Sequence, residues 1–312
     1  LKFINMYDDT FSELTIIIPT FYPGPIINNC IDSLPLQSDL IIVDNGEDEE
    51  LERIIIGKKN NIRHFKIGDL GLPKSFNYGV KQAYNENILI TQPDVTFEKD
   101  SIKNLIDAST KYKDAGLLAP IIYENNKYSV FNSLDLSLGK NGELIKKNRA
   151  KTKNTIPSGD FCAEAVSATA MLLKKGILNK IGGWDENIYT YLEDLDLCLK
   201  LRRNNFQIIK INNSKVNHVG FGSHKNENLN KFELSRNWHF MWSSLYFKKK
   251  YENNNEYILY VFKNLIKYFF KTILFAFILN KKKTTLNFMR LRACINFLTI
   301  KKSSFRINLT KL

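Results

Sequence analysis

Three carboxylates, Glu193, Asp194 and Asp196, stand together in the run YLEDLDLCLKL, just after a Gly-Gly-Trp-Asp turn at residues 182–185. Carboxylates that open a helix are held by its free N–H groups and by the positive end of its dipole. The cluster is therefore either a capping device with a solvated face or part of a functional site. Asp44 and Asp94 each follow a short apolar run, IIVD and ILITQPD. A carboxylate at Asp44 can accept from a nucleobase N–H or a ribose hydroxyl, or close an Asx-turn with Asn45-Gly46. The hard oxygens of Asp94 suit Mg2+ or Mn2+ bridging a diphosphate, or again a turn or cap. His218 lies in VNHVGFGSH, where an imidazole can complete a metal site or touch phosphate.

Apolar spacing indicates the elements that must carry these groups. Leu14–Pro19 (LTIIIP) and Asp39–Asn45 (DLIIVDN) are continuous β-branched runs, the pattern of buried parallel strands. Further strands are expected at Asn61–Ile67, Asn87–Gln92, Ala163–Lys174 and, briefly, Gln207–Ile211. Helices are expected at Ile26–Ser33, Leu72–Tyr84 and Ser101–Lys113. Leu192, Leu195, Leu199 and Leu201 recur at roughly helical spacing and predict another helix behind the carboxylate cluster. Tyr123–Pro157 is polar and reads as a variable loop or hairpin region. Strands alternating with helices predict an α/β fold with a mostly parallel, Rossmann-like sheet, whose ligands bind at the carboxyl ends of the strands. Asp44 and Asp94 both stand at such ends.

The formal charge of +13 is unevenly spread. Leu1–Lys200 holds 23 Lys and Arg against 28 Asp and Glu, a net −5, while Leu201–Leu312 holds 22 against 4, a net +18. A basic block of that kind implies an anionic surface, either lipid headgroups or nucleic acid. The chemistry-bearing carboxylates sit in the acidic part, which argues against a nucleic-acid-binding protein. Glu256–Asn280 is apolar and long enough to span a bilayer, but Lys263, Lys267 and Lys271 stack on one helical face. Lysines are costly at mid-membrane, so a helix lying in the interface is expected, with the anionic membrane contacted through residues 256–283. The alternative is a packed helix of a C-terminal helical domain. Four widely spaced cysteines without a C-x-x-C pair argue against a disulfide framework or zinc site and fit a reducing compartment. LKFINMYDDTF lacks a basic segment followed by an apolar one, which predicts no secretory leader and a cytoplasmic site of action.

In order, the segments IIIPT, IIVDNG, GLPKSFNYGV, ITQPDV, VSATAMLLKK, IGGWDE, YLEDLDLCLKL and NHVGFGS resemble the family 2 glycosyltransferases of the GT-A fold. The likeness is strongest to bacterial rhamnosyltransferase-like enzymes of O-antigen and capsule assembly. It implies a GT-A domain over residues 1–230 and a helical, basic, membrane-associating extension over 231–312. It implies that Pro19 and Thr20 line a nucleotide pocket, that Asp44 reads the base, and that Asn77 and Asp94 lie near a nucleotide-sugar donor. Asp94 and His218 would hold Mg2+ or Mn2+, Trp184, Asp185 and Glu193 would serve the acceptor, and Asp194 would be the catalytic base. The implied activity is inverting transfer of a sugar from dTDP-rhamnose or a UDP-hexose to a lipid-linked oligosaccharide, at the inner face of the bacterial cytoplasmic membrane. A non-catalytic subunit of the same fold is the alternative, because Gln92-Pro93-Asp94 keeps one carboxylate where many relatives have two. Ser167-Ala168-Thr169 also lacks a glycine that relatives carry there, so a methyl either narrows the donor pocket or is accommodated.

Overall fold

The computed structural model describes residues 11–58, 61–129, 157–220, 229–300 and 302–307, so most of the loop region expected at Tyr123–Pro157 falls outside it. At its centre is a mixed sheet. Its order is β3 (Ile62–Lys66), β2 (Asp39–Asp44), β1 (Leu14–Thr20), β4 (Asn87–Thr91), β9 (Ala170–Lys174), β6 (Ala115–Glu124), β10 (Gln207–His218) and β5 (Val95–Phe97). The β3-β2-β1-β4 half is parallel throughout, as the apolar runs predict. Beyond β4 the directions mix: β9 runs antiparallel to both β4 and β6, and β5 antiparallel to β10, while β6 and β10 are parallel. Short β7 (Lys127–Tyr128) and β8 (Phe161–Cys162) pair with β6 and β10.

Strand alternation distributes the core. Ile17, Ile41, Val43, Ile88 and Ile90 bury into one layer, while Leu14, Ile16, Ile18, Leu40, Ile42 and Leu89 bury into the other. Both faces of these strands are therefore dry, which is why their sequences read as unbroken apolar runs. Covering them are α1 (Ile27–Asp32), α2 (Glu49–Ile56), α3 (Leu72–Gln82), α4 (Ser101–Lys111), α5 (Lys175–Ile181) and α6 (Glu193–Arg203). The sequence reading did not anticipate α2, although Asp48 caps it by accepting from the Glu50 N–H at 3.0 Å.

Two differences from expectation bear on the site. Only Ala170–Lys174 of the expected Ala163–Lys174 strand joins the ladder; upstream, the Ser167 and Thr169 hydroxyls bond each other at 2.8 Å in a turn. β10 continues to His218 rather than stopping at Ile211, because a register break between Ile211 and Lys215 lets the polar Asn-Asn-Ser stretch bulge without ending the strand.

The C-terminal third is helical: α7 (Leu229–Tyr251), α8 (Asn254–Phe277) and α9 (Lys281–Thr299). Trp238, Trp242, Leu245, Val261, Tyr268, Met289 and Phe297 form their shared core. This unit is not detached from the sheet, since Phe247 and Tyr251 at the end of α7 belong to the same buried cluster as α6. α8 buries Val261, Asn264 and Tyr268, yet leaves Ile258, Phe262, Ile266, Phe269, Phe270, Ile273 and Phe277 about half exposed or more. Among the described residues no helix is long and apolar enough to cross a membrane.

Candidate active site

The ends of β1 and β2 form the first part of the site. Pro19 and Thr20 pair with Val43 and Asp44, all buried. Asp44 accepts three hydrogen bonds, from the Gly46 N–H at 2.9 Å and the Thr20 hydroxyl at 3.3 Å on one oxygen and the Asp48 N–H at 2.9 Å on the other, with His64 Nε2 lying 3.5 Å from that second oxygen. Burial opposes its charge, but the His64 contact and the two N–H bonds outweigh it and hold its carboxyl below the usual range. The Asx-turn is thus present, and the fully buried carboxylate shapes the strand end from beneath. Gly46 is required where it stands, since a Cβ there would fall 2.9 Å from the Tyr22 ring. Ser75 of α3 bonds Asn45 at 2.9 Å and ties the helix to this strand end.

Asp94 and His218 meet because β5 and β10 pair: His218 is in register with Val95, and the Val219 N–H bonds the Asp94 carbonyl at 3.1 Å. His218 Nε2 lies 3.6 Å from Asp94 Oδ1. Asp94 is 6% exposed, and burial raises its pKa while the neighbouring His218 partly offsets this. A dry carboxyl facing one imidazole just beyond hydrogen-bond range suits a shared cation. Among the described residues no set of three His, Cys, Asp or Glu forms a metal cage. One hard oxygen donor and one imidazole, completed by diphosphate oxygens and water, fit Mn2+ or Mg2+ held together with a nucleotide. Glu124, which the sequence reading passed over, bonds the other ring nitrogen of His218 at 3.1 Å. It closes β6 as Asp44 closes β2, and the apolar run Gly116–Ile122 was the signal that could have found it.

The third part is the Gly-Gly-Trp-Asp turn with the start of α6. Asn77 of α3 clamps this turn, accepting from the Trp184 N–H at 3.0 Å and donating to the Trp184 carbonyl at 3.0 Å and to Glu186 at 2.9 Å. Trp184 is 2% exposed with its ring against Phe76, so it supports the turn from the core and offers no face to solvent. Asp185 accepts from Asn187 (N–H 3.1 Å, side-chain amide 2.8 Å), from the Tyr246 hydroxyl at 3.0 Å and from Lys250 at 2.6 Å. Burial opposes the Asp185 charge, but Lys250 and Asn187 overcome it and lower the carboxyl to about 2. Lys250 also bonds Asp196 at 2.6 Å, beside the Tyr251 hydroxyl at 2.7 Å. Asp196 is fully buried. It is a structural member of the cluster, and Lys250, Tyr246 and Tyr251 are partners that the sequence reading placed only in a basic, aromatic stretch.

Tyr191 and Leu192 both adopt left-handed backbone, φ 65° and 67°, immediately before α6. Two consecutive non-glycine residues there store strain of the kind that clusters at functional sites. Glu193 is buried, and burial together with Asp194 and Asp196 pushes its carboxyl up to about 8. One Glu193 oxygen has no hydrogen-bond partner. Half-buried Asp194 is also raised by burial, but it accepts from the Leu195 N–H at 2.8 Å and from the Ala168 N–H. Backbone donors favour the ionised form and work against burial at Asp194, whereas at Glu193 the neighbouring carboxylates add to burial. The Ala168 link also locates Asp194: Thr91 bonds the next carbonyl, that of Thr169, at 3.1 Å, and Asp94 lies three residues beyond Thr91. The Ala168 methyl is accommodated within the core cluster.

A parallel sheet half with a carboxylate at its strand end, an Asp–His pair on the mixed half and two carboxylates at a strained helix start are the arrangement that the GT-A resemblance leads one to expect. The family model described as glycosyl transferase family 2 matches residues 15–175, and the chain belongs to that family. N-acetylglucosaminyl-diphospho-decaprenol L-rhamnosyltransferase of Mycobacterium tuberculosis is 22% identical over 232 residues, covering 66% of this chain and 75% of the relative. The Salmonella typhimurium O-antigen chain rhamnosyltransferase RfbN is 24% identical over 219 residues, 66% of either chain. A crystal structure of GalNAc-T7 with UDP, GalNAc and Mn2+ superposes with a TM-score of 0.51 at 12% identity and shares the fold; it covers 68% of this chain, which spans 45% of that structure's length.

Proposed function

We propose that the enzyme transfers one sugar, with inversion, from a nucleotide-diphosphate donor such as dTDP-rhamnose or a UDP-hexose to a lipid-linked or growing surface-polysaccharide acceptor. The observation that carries this is the Glu193–Asp194 pair at the strained start of α6, with Asp194 half-buried and held by the Leu195 N–H at 2.8 Å. Inversion needs a base on one face of the anomeric carbon and positive charge beside the leaving diphosphate on the other. Asp194 takes the proton from the acceptor hydroxyl, and the product forms without a covalent intermediate. Glu193, as a neutral acid, donates to acceptor oxygens without competing for that proton. Asp94 and His218 would hold Mn2+ or Mg2+, which supplies positive charge to the departing diphosphate. Pro19 and Thr20 line the nucleotide side, with Asp44 setting the shape of the strand end that meets the base. Asn77, Trp184 and Asp185 act through the turn they fix, which borders the acceptor side.

Peripheral attachment to the cytoplasmic face of a bacterial membrane completes the reading. The exposed apolar residues of α8 share one helical face, and Lys263, Lys267 and Lys271 are exposed along its flank. That is the layout of a helix lying in a headgroup region, with attraction to anionic lipid added by Lys281–Lys283. Residues 1–230 would then be the catalytic domain and 231–312 its membrane-associating extension. The Mycobacterium relative, named for N-acetylglucosaminyl-diphospho-decaprenol, favours an acceptor carried on a lipid diphosphate. Thermal shifts across dTDP-rhamnose and UDP-sugars, with and without Mn2+, test the donor class. Asp194→Asn should abolish transfer with nucleotide binding intact, and near-normal turnover in that variant would overturn the base assignment.

A further inference from the structure

We infer that Glu124 is a positioning residue: it fixes the tautomer and ring orientation of His218 so that Nε2 presents a lone pair toward Asp94. The inference rests on the reading of Asp94 and His218 as a cation site and extends it to a residue outside that pair. Glu124 Oε1 lies 3.1 Å from His218 Nδ1, within hydrogen-bond range, whereas Nε2 lies 3.6 Å from Asp94 Oδ1, beyond it. A carboxylate can only accept, so the short contact requires a proton on Nδ1, and in the neutral ring this leaves the lone pair on Nε2. The second oxygen of Glu124 is itself held, accepting from the Ser129 hydroxyl at 2.6 Å. Backbone pairing fixes the rest. β6 and β10 run parallel with Tyr123 opposite Asn217, one residue before Glu124 and His218 respectively. Three strand ends therefore converge, β5 behind Asp94, β10 at His218 and β6 at Glu124.

An imidazole that ligates through one nitrogen is commonly steered by a carboxylate on the other, and loss of that partner costs about 10–100-fold in metal affinity. Glu124 plays that part here without touching the cation. The test uses the full chain with labelled histidine. In metal-free protein at pH 8, nitrogen NMR should show His218 protonated at Nδ1. Glu124→Ala should populate the Nε2–H form and weaken Mn2+ binding in the presence of UDP or dTDP, read by electron paramagnetic resonance, by about 10–100-fold. Glu124→Gln, which keeps an acceptor oxygen, should restore both readouts to within about threefold, a rescue that a merely structural role would not give. Retention of the Nδ1–H form in Glu124→Ala, or Mn2+ affinity within twofold of the parent, would overturn the inference. Absence of Mn2+ binding by the parent would sink the cation site, and the tautomer readout alone would then decide the role of Glu124.

Discussion

Replacing Lys250 by Met removes the one cation shared by two carboxylates, Asp185 at 2.6 Å and Asp196 at 2.6 Å. The consequence can be worked from Asp185. Its carboxyl drops from 3.8 to about 2 on folding, with burial working against the shift and Lys250 and Asn187 driving it. A depression of that size corresponds to about 2 kcal/mol. Because the folded value lies below the unfolded one, this stability is fully present above about pH 4 and is lost as pH falls through about 2. Asp196, with no exposed surface, would keep only the Tyr251 hydroxyl at 2.7 Å and Lys200 at a distant 3.9 Å. Removing one partner of a buried pair typically costs about 3–5 kcal/mol, and the partial exposure of Lys250 brings the expected total to about 3 kcal/mol. Urea denaturation at pH 7, 5 and 3 measures it. The gap between parent and variant should be widest at pH 7 and narrow once pH drops below about 4. A Lys250→Met variant within about 0.5 kcal/mol of the parent at pH 7, or a gap that ignores pH, would refute the reasoning. Turnover should fall as well, on the order of tenfold, because the lost clamp holds both the 182–187 turn and the helix that carries Asp194.

Glu193→Gln should flatten the pH dependence of stability: the raised carboxyl at about 8 stabilises fully below about pH 4.5 and progressively less as pH rises through 8, so melting temperatures at pH 5 and pH 8.5 should converge in the variant. Asp194 is also raised, so the acid limb of kcat should fall above the ordinary carboxylate range, and a limb at or below about pH 4 would count against Asp194 as the base. Asp44→Asn turns an acceptor into a donor facing the Asp48 or Gly46 N–H, costing about 1–3 kcal/mol by denaturation alongside any loss of nucleotide affinity. Phe270→Ser on the exposed face of α8 should weaken binding to anionic vesicles by about 2 kcal/mol, roughly 30-fold, without changing the melting temperature; tighter binding to duplex DNA than to vesicles at equal salt would favour the nucleic-acid reading instead.

Strands β1, β2 and β4 of the parallel half were legible because they are buried on both faces, which leaves no polar alternation to confuse the reading. The strand-end carboxylates were legible for the same reason, since Asp44 directly ends an apolar run and Asp94 lies just beyond another. β6 escaped notice although AGLLAPIIYE is just such a run, its Pro120 sitting inside a strand that pairs on both sides. With β6 went Glu124. Side-chain roles that depend on long-range partners were not legible at all. Nothing local says that Asn77 spends its amide on Trp184, 107 residues away, or that Lys250, in a run of three lysines, reaches back to Asp185 and Asp196. A motif reading picks out Trp184 and Asp185 as chemistry, whereas the structure uses the ring as core and the carboxylate as a tie.

The uneven charge of the chain resolves along the same line. Several C-terminal cations are spent on carboxylates: Lys250 on Asp185 and Asp196, Lys248 on Glu252, Lys282 on Glu233 at 2.9 Å, and Arg306 near Asp69 at 3.8 Å. Two of these, Lys250 and Arg306, cross from the helical third to the sheet domain. Arg306 also stacks over Tyr189 at 3.9 Å, whose hydroxyl bonds Asp69 and whose carbonyl accepts from the Leu72 N–H at 2.9 Å. That network fastens the end of the chain to the start of α3, where Gly71 at φ 89° leaves no room for a Cβ against Tyr189. Lys263, Lys267 and Lys271 are different: among the described residues none has a carboxylate within ion-pair distance, and all three border the exposed apolar face of α8. A helical unit with one set of cations turned inward to α6 and the sheet and another bordering an apolar face would, on the proposed reading, be held at both surfaces. Neutralising the inner set should therefore cost folding stability and turnover, while neutralising the outer set should cost only vesicle affinity, about 1 kcal/mol per lysine and with a shallower salt dependence. If Lys263→Gln, Lys267→Gln and Lys271→Gln together lowered stability instead, the division of the basic block into two uses would be wrong.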